Sequence, residues 1–147
     1  MSFTAATRVP FPASQHKAQR NHTKLGVLLA LDGTRLTPEL LAAALKQCVQ
    51  STDRLDILLV NPPKAPTCLL GSLLLRLEHS GIDYRLTSGD GDLGKEIVHY
   101  LKRFQGIALV IVDSLPSLEQ ALGSILSDLC RSGYRFIGLS AQNSRAS

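Results

Sequence analysis

The segment GDGDLG, residues 89–94, with Lys95 and Glu96 after it, carries residue types that hold phosphate. It satisfies the G-x-G-x-x-G spelling of a dinucleotide-binding turn, in which glycines let the backbone close on a pyrophosphate. It misses the P-loop spelling G-x-x-x-x-G-K-[ST] at Glu96, where that loop needs a hydroxyl for magnesium. Asp113 lies about 19 residues beyond the last glycine, the distance at which such a unit places its ribose-binding acid. The charges argue the other way. Asp90 and Asp92 would set two negative groups beside a polyanion, and an EF-hand pattern breaks after Asp90-x-Asp92. The segment reads as a tight turn feeding a helix capped by Asp92.

Other candidates for chemistry are sparse. Asp32 and Asp113 each end a run of apolar residues and would face one another across a crevice. Such a carboxylate pair can bind a metal or share a proton, but neither has a third partner in the sequence. His16, His22, His79 and His99 have no ligand-spaced neighbours. No G-x-S-x-G elbow offers a nucleophile, and no His/Cys cluster has zinc spacing. The expectation is a protein that is not an enzyme.

The elements that must position these residues alternate. Apolar runs at 25–31, 55–61 and 107–112 suit strands buried on both faces. IDYRLT, 82–87, and YRFIGLS, 134–140, alternate apolar and polar residues, as edge strands do. Helices follow each of the first four runs. Thr37 caps the first, with Pro38 at its opening position and Glu39 in its first turn. Leu69, Leu70, Leu73, Leu74 and Leu77 line the second, and Asp92 caps the third. The fourth spans 117–132 with Ser117 as its cap and Leu118, Ala121, Leu122, Ile125, Leu129 and Cys130 on one face. Five strands alternating with four helices predict an α/β fold with a parallel sheet covered on both faces. Ranking the strands by apolarity gives the order 3-2-1-4-5. The order 2-1-3-4-5 would bury Asp83 and Arg85 in the middle of the sheet. The winding then reverses between strands one and four, where open sheets bind ligands, whereas the glycine turn follows strand three at the edge.

Bulk properties narrow the classes. At 147 residues and 44% apolar content, the chain suits one domain. The formal charge of +4 belongs to residues 1–24, which hold four bases and no acid; the remaining twelve bases match the twelve acids. The sequence predicts a disordered basic arm over 1–23, a folded domain over 24–141 and a flexible tail over 142–147. Few aromatics and a neutral body make nucleic acid an unlikely partner. Cys48, Cys68 and Cys130 lack C-x-x-C spacing and read as buried free thiols of a reducing compartment. No run reaches membrane-span length and no leader has an apolar centre, so the expected location is cytoplasmic.

KLGVLLALDGTRLTPELLAAAL, LDILLVN, SGIDYRLTSGDGDLGKEIVHYLKR and IALVIVD with LGSILSDLCRSG follow one another in an order and spacing that resembles the universal stress protein family, over nearly all of residues 24–141. The resemblance implies a Rossmann-like domain of the adenine-nucleotide α-hydrolase type, often a homodimer, with one branch binding ATP and another not. In the binding branch an Asp ends strand one at the ribose, and the end of strand two receives adenine. A G-x2-G-x9-G-[ST] loop after strand four wraps the phosphates. Carried over, Asp32 stands at the ribose position, Val60 at the adenine, and Gly123 and Ser124 at the terminal Gly-Ser. Asp113 replaces the first glycine, and the second has no counterpart. Ser114 offers one remaining donor at the loop, whereas Pro116 has no N–H. The expectation is a stress-response domain that does not wrap ATP in the usual way. It would be dimeric through its last strand and would act on a protein partner not identified by the sequence. The alternative is a sensor of ATP, AMP or another adenine nucleotide.

Overall fold

The computed structural model describes residues 26–63 and 68–139. The arm at 1–23 and the tail at 142–147 lie outside them. The elements, in chain order, are β1 (Gly26–Asp32), a 3-10 turn (Gly33–Arg35), α1 (Pro38–Ser51), β2 (Arg54–Val60), α2 (Cys68–His79), β3 (Asp83–Gly89), α3 (Leu93–Arg103), β4 (Ile107–Val112), α4 (Leu115–Leu122), α5 (Ser124–Arg131) and β5 (Arg135–Gly138).

The five strands form one sheet in the order β3-β2-β1-β4-β5, and every pairing is parallel. This is the 3-2-1-4-5 order expected from strand apolarity, in a Rossmann-like α/β fold. The cause is visible in β1. Leu28, Leu29, Ala30 and Leu31 are all fully buried, so both faces of this strand need a covering layer. Leu29, Leu31, Ile57 and Leu59 pack under α1 and α2, with Ala44, Cys48, Leu73 and Leu77. Leu28, Ala30, Leu58, Val60, Val110 and Val112 pack on the other face, with Ile97, Tyr100 and Leu101 of α3 and Leu118, Leu122 and Leu126 of α4 and α5.

Two caps fall where the sequence puts them. Thr37 Oγ1 accepts from Leu40 N at 3.0 Å, ahead of Pro38. Asp92 Oδ2 accepts from Lys95 N at 3.0 Å. The region after β4 differs from expectation. The single helix over 117–132 is two helices, and the first begins at Leu115 with Ser114, not Ser117, as its cap. Pro116 in the first turn fixes φ where a helix needs no N–H, which moves the start forward. Gly123, at φ 56° and ψ −127°, then breaks the helix in a conformation that side-chain-bearing residues rarely adopt. The break re-phases the apolar face. Leu118, Leu122 and Leu126 are buried, while Ile125 is 46% exposed and Ala121 and Cys130 are exposed.

The edge strands also shift. β3 runs to Gly89 instead of stopping at Thr87, and β5 keeps only four residues of the expected seven. Among the thiols, Cys48 is buried, but Cys68 and Cys130 are exposed, against expectation. The helix break explains Cys130, and Cys68 opens α2 at its exposed first position. No helix among the described residues is long and apolar enough to cross a membrane.

Burial pushes the Cys48 thiol up to about 12, so near neutral pH it holds almost no reactive thiolate. An aromatic disulfide reagent should therefore consume Cys68 and Cys130 promptly in the native protein and reach Cys48 only after denaturation. Release of all three thiols at once from folded protein would contradict the burial of Cys48.

Candidate functional site

The winding reverses between β1 and β4, and the loops after these strands form the crevice where an α/β sheet takes its ligands. Asp32 closes β1 and turns its carboxylate onto its own loop. Its Oδ1 accepts from Thr34 N at 2.9 Å and from Thr34 Oγ1 at 2.8 Å, which caps the 3-10 turn. That turn presents Arg35 toward β4.

Asp113 follows β4 directly and is 5% exposed, a charged residue in an otherwise apolar interior. Its Oδ1 accepts from Ser114 N at 2.8 Å. Its Oδ2 lies 3.5 Å from Arg35 Nη1, whose side chain is 55% exposed. The ion pair thus bridges the two loops at the reversal point, with its anion buried and its cation at the surface. Asp32 and Asp113 stand at the ends of neighbouring parallel strands, and each carboxylate is bound into its own loop. Among the described residues no group of three His, Cys, Asp or Glu side chains could hold a metal. His79 and His99 are exposed, and His16 and His22 fall outside the described residues.

The remaining candidates separate. Val60 is fully buried at the end of β2, in register with Asp32 on one side and Gly89 on the other. Ser114 sits in the crevice as the cap of α4. Gly123 and Ser124 stand at the far end of α4, about 12 Å along an eight-residue helix. There Leu122 and Ala121 pack on Gly94, in the first turn of α3.

The glycines of the turn are confined to different degrees. A Cβ on Gly89 would meet the flexible end of Glu96 at 2.6 Å, whereas one on Gly94 would press on Leu122 Cδ2 at 3.0 Å and Ala121 Cβ at 3.3 Å. Gly91 takes φ 104° in the turn itself. Its backbone is already engaged: Gly91 N donates to Asn61 Oδ1 at 2.9 Å, and Asn61 Nδ2 donates to Gly91 O at 2.8 Å. Asn61 N donates in turn to Gly89 O at 2.8 Å. Asn61 adopts φ 57°, alone among non-glycine described residues in the left-handed region, where Asn is one of the few side chains tolerated. Gly33 passes so close beneath it that a Cβ would lie 2.2 Å from Asn61 O. One asparagine thereby ties together the loops after β1, β2 and β3.

Arg35 and Asn61 were both missed by the sequence reading. Asn61 had a usable signal, an asparagine between a buried strand and Pro62-Pro63, which favours a turn. Arg35 had none, because its partner lies 78 residues away.

The asparagine clasp predicts a graded response. Asn61→Ala should cost about 2–4 kcal/mol in chemical denaturation, since it loses two hydrogen bonds and forces alanine into the left-handed region. Asn61→Gly should cost less, because glycine keeps the backbone geometry. Equal losses in the two variants would show that backbone conformation contributes nothing.

No protein-family model matches the chain, and the search of curated proteins found no match. Among solved structures, the chain is similar to the crystal structure of a protein from the universal stress protein family from Burkholderia pseudomallei. The two share 16% identity at a TM-score of 0.49, over 78% of this chain and 95% of that one.

Proposed function

We propose that the chain is a non-enzymatic regulatory domain of the universal stress protein type, which does not wrap ATP and which acts as a homodimer on a protein partner. The observation that carries this reading is the state of the backbone donors after β4. Ser114 N is held by the Asp113 carboxylate, Ser117 N by Ser114 Oγ at 3.4 Å, and Leu118 N by Ser114 O at 3.2 Å. Pro116 has no N–H to give. The residues that would form a phosphate-wrapping loop are wound into the first turn of α4, where the Ser114 cap holds Ser117 N and the helix holds Leu118 N. Arg35, the cation of this rim among the described residues, already faces Asp113. A triphosphate entering here would meet a buried negative charge and few free donors, which is unfavourable on both counts.

A second reading draws on Asp32, which makes both of its hydrogen bonds through Oδ1 and is half-buried at the mouth of the crevice. A nucleoside, or a nucleotide with fewer phosphates, would use Asp32 and the backbone near Val60 and leave Asp113 alone. The dimer belongs to the first reading. β5 ends the sheet, so its outer N–H and C=O groups face no strand among the described residues and suit a second copy.

Calorimetric titration with ATP, AMP and adenosine separates the two readings, and sedimentation of the same sample reads the dimer. The regulatory reading expects no saturable ATP heat below millimolar concentration and a dimer at micromolar protein. Micromolar ATP binding that disappears in Asp32→Ala would replace it with the sensor. A monomer throughout would remove the dimer.

A further inference from the structure

Along β3 an edge that no other strand of the described residues pairs, an exposed leucine and two arginines meet. We infer that this edge docks an extended segment of the partner protein, with an acidic residue flanked by apolar ones, as a sixth strand of the sheet. The inference rests on the reading of the chain as a regulatory domain with a protein partner. It names the surface and the chemistry of that partner.

β3 ends the sheet opposite β5. It is seven residues long, against four in β5, contains no proline, and pairs with β2 in an unbroken register from Asp83 to Gly89. A strand added to such an edge gains affinity from main-chain hydrogen bonds and specificity from side chains that alternate between the two flanks. The flanks differ. Tyr84 packs with the α1 and α2 layer, and on that side Leu86 is 41% exposed.

The other flank is cationic. The Arg85 guanidinium lies 4.7 Å from the centre of the Phe104 ring, and that of Arg103 lies 5.3 Å from the same centre. The carboxylate that answers this charge is Asp56, whose Oδ2 is shared between Tyr100 Oη at 2.6 Å and Arg85 Nη2 at 3.4 Å. Arg103 has no carboxylate within ion-pair distance among the described residues. Two like charges against one ring, with one carboxylate that faces Arg85 and not Arg103, make a site for an added anion.

Asp83 stands two positions before Arg85 on the same flank. The guest's acidic residue therefore falls opposite Arg85 and Arg103, and the rest of that flank calls for neutral polar residues. The neighbouring guest positions fall over Leu86 and are apolar. A second copy of β3 fits less well. Paired antiparallel about Arg85, it would set that arginine against itself; paired about Leu86, it would bring no acid to Arg103; paired about Tyr84, it would set Asp83 against Arg85 but overlap over only Asp83–Arg85 of the seven-residue strand. The charges on β3 also exclude casual pairing by neutral strands.

The probe is a fluorescein-labelled seven-residue peptide of alternating valine and threonine, with one central glutamate in the threonine register. It is titrated by anisotropy into the full chain. The expected result is saturable binding that weakens with added salt, falls about tenfold in Arg103→Glu, falls in Leu86→Lys, and is lost when the guest's pairing amides are N-methylated. Arg103 is exposed, so its variant should keep the wild-type melting temperature. The inference is overturned by any of four results: equal binding of a peptide with lysine for glutamate, no effect of Arg103→Glu, no binding at millimolar peptide, or self-crosslinking of Leu86→Cys protein that also carries Cys68→Ser and Cys130→Ser, which would give the edge to a second copy. The ATP titration tests the regulatory reading independently, because the crevice between β1 and β4 is separated from β3 by β2.

Discussion

A buried carboxylate at the point where the sheet reverses governs how this molecule can meet a ligand. Asp113 directly follows the interior strand β4, shielded from water, with its charge met by Ser114 N and, at longer range, by Arg35 from across the crevice. A charge at that depth is costly unless it is hydrogen-bonded, so the two loops that flank the crevice are drawn together around it. The donors used in doing so are those an incoming anion would need. On the reading proposed above, the chain carries its own anion where an open α/β sheet takes its ligand.

The surrounding architecture is consistent with a rim set by internal contacts. α4 starts at once after Asp113 and takes up the residues that would otherwise form an open loop. The Asn61 clasp fixes the loops after β2 and β3 to each other, and Gly33 brings the loop after β1 within contact of both. The glycines of GDGDLG, whose spelling suggests nucleotide binding, serve a turn and two close approaches, and the N–H of the middle one is held by Asn61. The same spelling can therefore meet a purely mechanical need wherever a strand must turn tightly into a helix that packs against another.

Much of this was legible in the sequence, for identifiable reasons. The strand order followed from apolarity, because β1, β2 and β4 are buried on both faces and β3 and β5 are not, and burial of a strand face admits few alternatives. The caps at Thr37 and Asp92 followed from local chemistry that operates over three residues. The errors lie where the outcome depends on longer range or on a single backbone angle. Gly123 falls inside the helix expected over 117–132, and its backbone angle breaks that helix in two. The break carried Ile125 and Cys130 to the surface. Within the crevice, Asp32 and Asp113 were found because acids ending apolar strands stand out. Arg35 and Asn61 were missed because their roles exist only once β1, β2, β3 and β4 lie side by side.

The central claim is that Asp113 holds the Ser114 amide against external anions, and the amide itself reports on it. In nitrogen-edited NMR spectra of the labelled protein, the Ser114 cross-peak should stay in place as ATP is added to millimolar concentration. In Asp113→Ala it should move under the same titration. Movement of the Ser114 peak in the wild-type protein, saturating with ATP, would contradict the account.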